Sequence, residues 1–266
     1  RNKVFSKLGM CYIAEGRRMS GDMNTAVGNC VLMLMMLIGF CRYIVCVSKW
    51  DCLDDGDDSV LIIEITDLQR VLELVHTSFS SFGMTIKVES TVYNLFEVEF
   101  CQSRIVEYQP GRFKFVRNYQ AVMSKALCGI RHWGNATYRR RVLIAIGTCE
   151  LVLALGVPVL QSYALAIMRN VGGEADLRYA PDGLRIRTAR DMKLLGITGT
   201  KIAPQPIMEC ARDSFAIAFG VSPSEQMLLE SDLDSWEFEC DGSTAWGEEW
   251  ATATWLPNFS NVEVSL

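Results

Sequence analysis

Asp57 and Asp58 are adjacent carboxylates that directly follow Gly56, inside an acidic stretch running from Asp51 to Asp58. Two-metal phosphoryl transfer needs such a pair on a rigid turn, holding divalent ions about 3.5–4 Å apart. An acidic turn by itself is a common solvated feature, so the tripeptide alone does not decide between the two. A calcium loop is a second possibility, because Asp51, Asp55 and Gly56 fit its first, fifth and sixth positions. It fails at the third and twelfth, where Leu53 and Ile62 replace oxygen ligands. Upstream, Thr25 and Asn29 stand four residues apart, so on a helix they present a hydroxyl and an amide from one face.

These groups need elements to hold them. Tyr43 to Val47 and Val60 to Ile65 are rich in β-branched and aromatic residues and flank the acidic stretch, which predicts a hairpin with acids at its tip. The apolar run opening at Ser20-Gly21-Asp22 and reaching Phe40 predicts a loop feeding a long buried helix. Leu68, Val71, Leu72, Val75 and Phe79 follow helical spacing over Thr66 to Phe82, with Gly83 as the stop. Strands are expected at Met84 to Val88, Leu95 to Cys101, Ile105 to Tyr108 and Phe113 to Val116, the last two bracketing Pro110-Gly111. Beyond them the pattern is mostly helical. Arg139 to Leu155 and Val159 to Met168 are separated at Gly156-Val157-Pro158, and Gly172 to Pro206 is expected to wrap the surface. Ser222-Pro223-Ser224-Glu225 is a capping signal for a helix over Gln226 to Leu233.

With 266 residues, half of them hydrophobic, the chain can bury a sizeable core, and it reads as globular. Its ten cysteines form no C-x-x-C pair and have only His76 and His132 as companions, which argues for free thiols and against zinc. The apolar run Cys30 to Cys41 is twelve residues long, short of a bilayer span, and Val142 to Met168 is interrupted by Glu150, Pro158 and Gln161. No integral membrane segment is therefore expected. Between Cys101 and Glu150 nine Lys/Arg face two Glu, a segment able to meet phosphate. From Val221 onward ten Asp/Glu stand without a cation, which predicts avoidance of nucleic acid.

The run Ser20-Gly21-Asp22-Met23-Asn24-Thr25-Ala26-Val27-Gly28-Asn29 fits S-G-x-x-x-T-x-x-x-N and starts thirty-six residues before Gly56-Asp57-Asp58. This ordered pair resembles the ribose-recognition and metal motifs of positive-strand RNA virus polymerases, in particular the tombusvirus-like RNA-dependent RNA polymerases. Phe82 to Glu89 and Val98 to Ser103 look like the next two palm motifs of that family. Ala145 to Cys149, Leu155 to Ser162 and Phe215 to Gly220 resemble its thumb. Glu150, where a small residue is expected, and the additional acids Asp54 and Asp55 depart from the family pattern.

The resemblance implies an α/β chain: a palm with an antiparallel sheet over residues 1–108, then a mainly helical thumb over 109–266, with the fingers of the right-hand polymerase fold absent. It implies RNA-directed RNA synthesis using Mg²⁺, with Mn²⁺ as a substitute. Asp57 and Asp58 are the expected metal ligands, and Lys87 is either the general acid for pyrophosphate or an exposed lysine. Ser20, Gly21, Thr25 and Asn29 would select the ribonucleotide, the Thr25–Asn29 pair suiting a 2′-OH. Phe100, Cys101, Gln102 and Arg104 would support the nascent RNA. Expected partners are the RNA template and nascent strand, NTPs, and an N-terminal palm and fingers portion carrying the first metal motif. The initial residue, Arg1, agrees with a fragment. The expected location is the host cytoplasm, at membrane-associated replication complexes reached through other parts of the polymerase. A reverse transcriptase, and a non-catalytic RNA-binding or endogenised remnant, remain as alternatives.

Overall fold

The computed structural model describes residues 2–5, 9–15, 23–127, 135–180, 182–199 and 201–237. Ser20 and Gly21 lie outside them. The chain combines helices with small antiparallel sheets and divides into two compact units. One contains residues 1–91 and 99–101, and the other residues 92–98 and 102–266.

The first unit opens with a short antiparallel hairpin, β1 (Asn2–Phe5) and β2 (Cys11–Ala14), which no pattern in the sequence announces. Helix α1 (Thr25–Ile38) follows and continues as a π-helical segment, Gly39–Ile44. The helical run therefore reaches twenty residues with a mean hydropathy of 1.8, enough in length and composition to cross a bilayer, where the sequence suggested a twelve-residue stretch. It is also less buried than expected. Leu37, Phe40 and Cys41 pack against Val71, Val75 and Phe79, but Val27, Val31, Leu34 and Met35 are exposed. Strand propensity at Tyr43 to Val47 is overridden, since Tyr43 and Ile44 end the π-helical segment, Val45 caps it, and Cys46 and Val47 have no regular structure. The hairpin forms instead from β3 (Trp50–Asp54) and β4 (Ser59–Ile63), in register from Trp50↔Ile63 to Asp54↔Ser59. Helix α2 (Leu68–Ser81) carries the expected apolar stripe. Its entry is fixed by Asp67, whose carboxylate accepts the Ser48 N–H at 3.0 Å and the Ser48 hydroxyl at 2.8 Å and pairs with Arg70. These partners hold Asp67 below the usual carboxylate range. Met84 to Val88 forms no strand. β5 (Glu99–Phe100) is the unit's last element.

In the second unit β6 (Ser103–Gln109) and β7 (Arg112–Arg117) form a hairpin around Pro110-Gly111. A boundary after residue 108 would cut this hairpin, whereas β6 belongs with β7 and with α7 (Glu209–Phe219), to which Glu107 N–H is tied through Ser214 Oγ at 3.0 Å. Helix α3 (Tyr119–Lys125) leads towards α4 (Ala136–Ala154), the longest helix of the described residues, and α5 (Leu160–Val171). They pack closely at Gly147, where an added Cβ would lie 2.8 Å from Met168 Sδ and 3.0 Å from Ile167 Cγ2. Between them Gly156 takes a positive φ of 74°, and its N–H donates to Gln161 Oε1. Glu150 is explained by Arg117, whose guanidinium meets its carboxylate at 2.5 Å beneath the surface. Helix α6 (Asp182–Leu194) lies within the pattern-poor segment expected to wrap the surface and packs on α4. α8 (Pro223–Ser235) begins with the full capping box of Ser222 and Glu225. The core joins Val106, Met123, Leu143, Tyr163, Ile167, Phe215 and Leu233.

Candidate active site

The tip of the β3–β4 hairpin is a four-residue loop, Asp55 to Asp58, closed by the Asp55 N–H donating to the Asp58 carbonyl at 2.9 Å. Asp54 Oδ1 accepts the Gly56 N–H at 2.8 Å, an Asx-type turn that shapes the loop from within. Gly56 has a φ of +89°, and a Cβ placed on it would come within 2.9 Å of Asn29 Cβ. Only glycine meets both demands, the left-handed backbone and the close approach of α1. The hairpin tip is thereby seated against the first turns of α1, beside Asn29. Thr25 lies one turn earlier on the same helix, and both side chains are half-buried.

Asp57 and Asp58 are both exposed. Among the described residues Asp57 has no hydrogen-bond or ionic partner, so both of its oxygens face outward unclaimed. Asp58 differs, because its Oδ2 accepts the Cys101 N–H at 2.9 Å. Asp55 Oδ2 lies 3.4 Å from Cys101 Sγ, which donates to it. The two carboxylates thus grip Cys101 from the hairpin side. Asp54 and Asp55 stood out in the sequence as additional acidity, Asp55 also as a position of the rejected calcium loop, and the signal for their work was the Asx-Gly pattern at Asp54-Asp55-Gly56.

Hard divalent cations take oxygen ligands, and Asp57 with the remaining oxygen of Asp58 supplies donors of that kind. Among the described residues no group of three or more His, Cys, Asp or Glu is spaced to hold a metal ion. The donors present therefore fit part of a coordination shell. Lys87 is exposed on a stretch without regular structure, with its ammonium 3.3 Å from Glu89. Phe100 is half-buried in β5, and Cys101 and Gln102 both adopt left-handed backbone, φ 51° and 56°.

Arg104 lies on β6 in the second unit and donates to the Ala218 carbonyl at the C-terminal end of α7. Its neighbours in the basic segment are used similarly. Lys114 Nζ donates to the Leu155 carbonyl at 2.8 Å and sits over the Tyr108 ring. Arg140 donates to the carbonyls of Val171 and Gly172, and Arg141 to the Tyr179 hydroxyl. Arg139 is fully buried. Cations at helix C-termini satisfy orphan carbonyls and oppose the macrodipole, so much of this charge serves the fold.

A family model described as viral RNA dependent RNA polymerase matches residues 3–241. Among curated proteins, the RNA-directed RNA polymerase of Turnip crinkle virus is 34% identical over 249 residues, covering 93% of this chain and 31% of the relative. That of Cymbidium ringspot virus is 36% identical over 233 residues, covering 87% of this chain and 27% of the relative. That of Tomato bushy stunt virus (strain Cherry) is 34% identical over 233 residues, with the same two shares. The chain spans less than a third of the length of these relatives.

Proposed function

Because the chain belongs to the viral RNA-dependent RNA polymerase family, we propose that it supplies the later palm and the thumb of an enzyme adding ribonucleotides to an RNA 3′-OH on an RNA template. The observation that carries this reading is the seating of Gly56 against Asn29, which puts a ribose-sized hydrogen-bonding amide beside the acidic tip. The first unit then corresponds to palm and the helical second unit to thumb. Its partners are the RNA template and nascent strand, NTPs, and the remaining palm and fingers of the same polymerase. The setting is the host cytoplasm, at membrane-associated replication complexes.

Polymerases of this family use divalent ions, and here Mg²⁺ is the proposed ion, with Mn²⁺ as substitute. When bound it would neutralise the phosphates and favour ionisation of the attacking hydroxyl. Asp57 is the leading ligand, since its carboxylate is exposed and uncommitted. Asn29 and Thr25 orient the sugar by contacting its 2′-OH, a hydrogen-bonding group that a deoxyribose does not offer. Ser20 and Gly21, which precede α1 in the sequence, would join that contact. Lys87, on an irregular stretch, is free to approach a leaving pyrophosphate as proton donor if it releases Glu89. A deoxynucleotide-using palm polymerase is the competing reading, and the Asn29 amide favours ribose.

Primer extension by the full-length polymerase tests this, comparing NTP with dNTP. Asp57→Asn is expected to lower extension by at least about 10²-fold while folding survives. Asn29→Ala is expected to cost roughly 1–3 kcal/mol of NTP preference, with a smaller effect on melting. Extension by Asp57→Asn above about a tenth of wild type would sink the proposal.

A further inference from the structure

Cys101 and Gln102 are consecutive non-glycine residues in the left-handed region. Such backbone costs each residue about 1–2 kcal/mol and persists only where surroundings over-determine it. The surroundings here include the catalytic hairpin itself, through Asp58 Oδ2 on the Cys101 N–H and Asp55 Oδ2 on the Cys101 thiol. We propose that Asp58 serves the reaction as a positioning residue, locking the left-handed Cys101 backbone to the hairpin that presents Asp57, so that the metal-binding carboxylate and the support of the RNA 3′ end keep a fixed separation. This rests on the polymerase reading above, and departs from an equal sharing of metal ligation between the two aspartates.

The chemistry favours this division. A carboxylate accepting a backbone N–H forms a charge-assisted bond, roughly twice as strong as a neutral one, and its orientation is then fixed by the acceptor geometry. Asp57, the neighbour on the loop, is under no such constraint. Asparagine at position 58 keeps an oxygen able to accept the Cys101 N–H, whereas alanine removes the acceptor. A metal-ligand role predicts the opposite pattern, in which asparagine fails as badly as alanine because the charge is gone.

The test compares Asp58→Asn and Asp58→Ala in the full-length polymerase, with KM for primed template, kcat and the Mg²⁺ half-saturation as readouts. The expected result is a KM for primed template at least about tenfold higher in Asp58→Ala than in Asp58→Asn, with the same Mg²⁺ half-saturation in both. Equal losses in kcat with a raised Mg²⁺ requirement in both variants would overturn the proposal and return Asp58 to metal ligation. Amide exchange at Cys101, read on the 266-residue chain, follows the tether without any activity. It should be slow in wild type and Asp58→Asn, and at least about tenfold faster in Asp58→Ala. Unchanged exchange in Asp58→Ala would also overturn the inference. A wild-type polymerase unable to copy RNA would instead sink the polymerase reading, and with it any role of Asp58 in that reaction, while the exchange measurement still decides whether the tether exists.

Discussion

Burial in the second unit pushes the Lys114 ammonium down to about 8, partly countered by Asp191. In the unfolded chain the same group titrates near 10.5. Below about 8 both states hold the proton, and the folded state bears the whole desolvation penalty. Between the two values the unfolded state binds more protons, so stability should rise with pH across that window. The thiol of Cys149 and the phenol of Tyr119 are pushed the other way by burial and lose stability as pH rises, so only a difference isolates the lysine. We predict that the melting temperature of wild type gains on that of Lys114→Met between about pH 7 and pH 10. A constant gap would show that Lys114 does not titrate there. The same side chain shows what the sequence hides at this scale. Lys114, Arg104 and Arg140 read as a phosphate-binding run, but the carbonyls that engage them, of Leu155, Ala218 and Val171, arrive from distant segments. Asp57 and Asn29, by contrast, could be singled out by residue type and spacing, and the fold brings the Gly56 tip of that hairpin against Asn29.

Elements were legible where pattern and punctuation agreed. Gly156 and Pro158 separate α4 from α5, Ser222 to Glu225 start α8, and the β-branched richness of Val60 to Ile63 gives β4. Helix α6 was not, because DGLRIRTARDMKL scatters charges around the helix and leaves only a few residues, such as the buried Thr188, to mark an inner face. The strand expected over Met84 to Val88 failed for a related reason, since β propensity there has no partner strand among the described residues. Packing between elements is legible even less. Gly147 looks like a helix-weakening residue, yet it is where α5 comes closest to α4. Alanine there should gain about 1 kcal/mol of helix propensity and lose about 1–3 kcal/mol by overpacking. Met168 Sδ, at 2.8 Å, can swing away, but the β-branched Cγ2 of Ile167, at 3.0 Å, is stiff. We therefore expect Gly147→Ala to lower stability by about 1 kcal/mol in thermal or urea denaturation, and a more stable variant would show that the two helices can separate freely.

For the whole molecule the decisive quantity is the number of carboxylates brought to the hairpin tip. Two-metal transfer needs both ions clamped from more than one side, and on the proposed reading the described residues would contribute Asp57 and one free oxygen of Asp58. A partial shell of that kind should hold Mg²⁺ weakly, because the ion keeps most of its water. The triphosphate of an incoming NTP also needs cationic partners near the tip. Those on the basic segment are largely committed to helix ends and buried pairs. The 266-residue chain on its own is therefore predicted not to extend primers with Mg²⁺ or Mn²⁺, although both of its units bury cores of their own. RNA binding by the isolated chain should be modest and fall steeply with salt, as phosphate contacts release counterions. Arg112 and Lys125 are the exposed cations of the basic segment best placed to contribute to it. A primer-extension assay on the isolated chain decides the point. Template-dependent extension that vanishes in Asp57→Asn would mean that the carboxylates described here suffice, and that the metal site needs nothing from the rest of the polymerase.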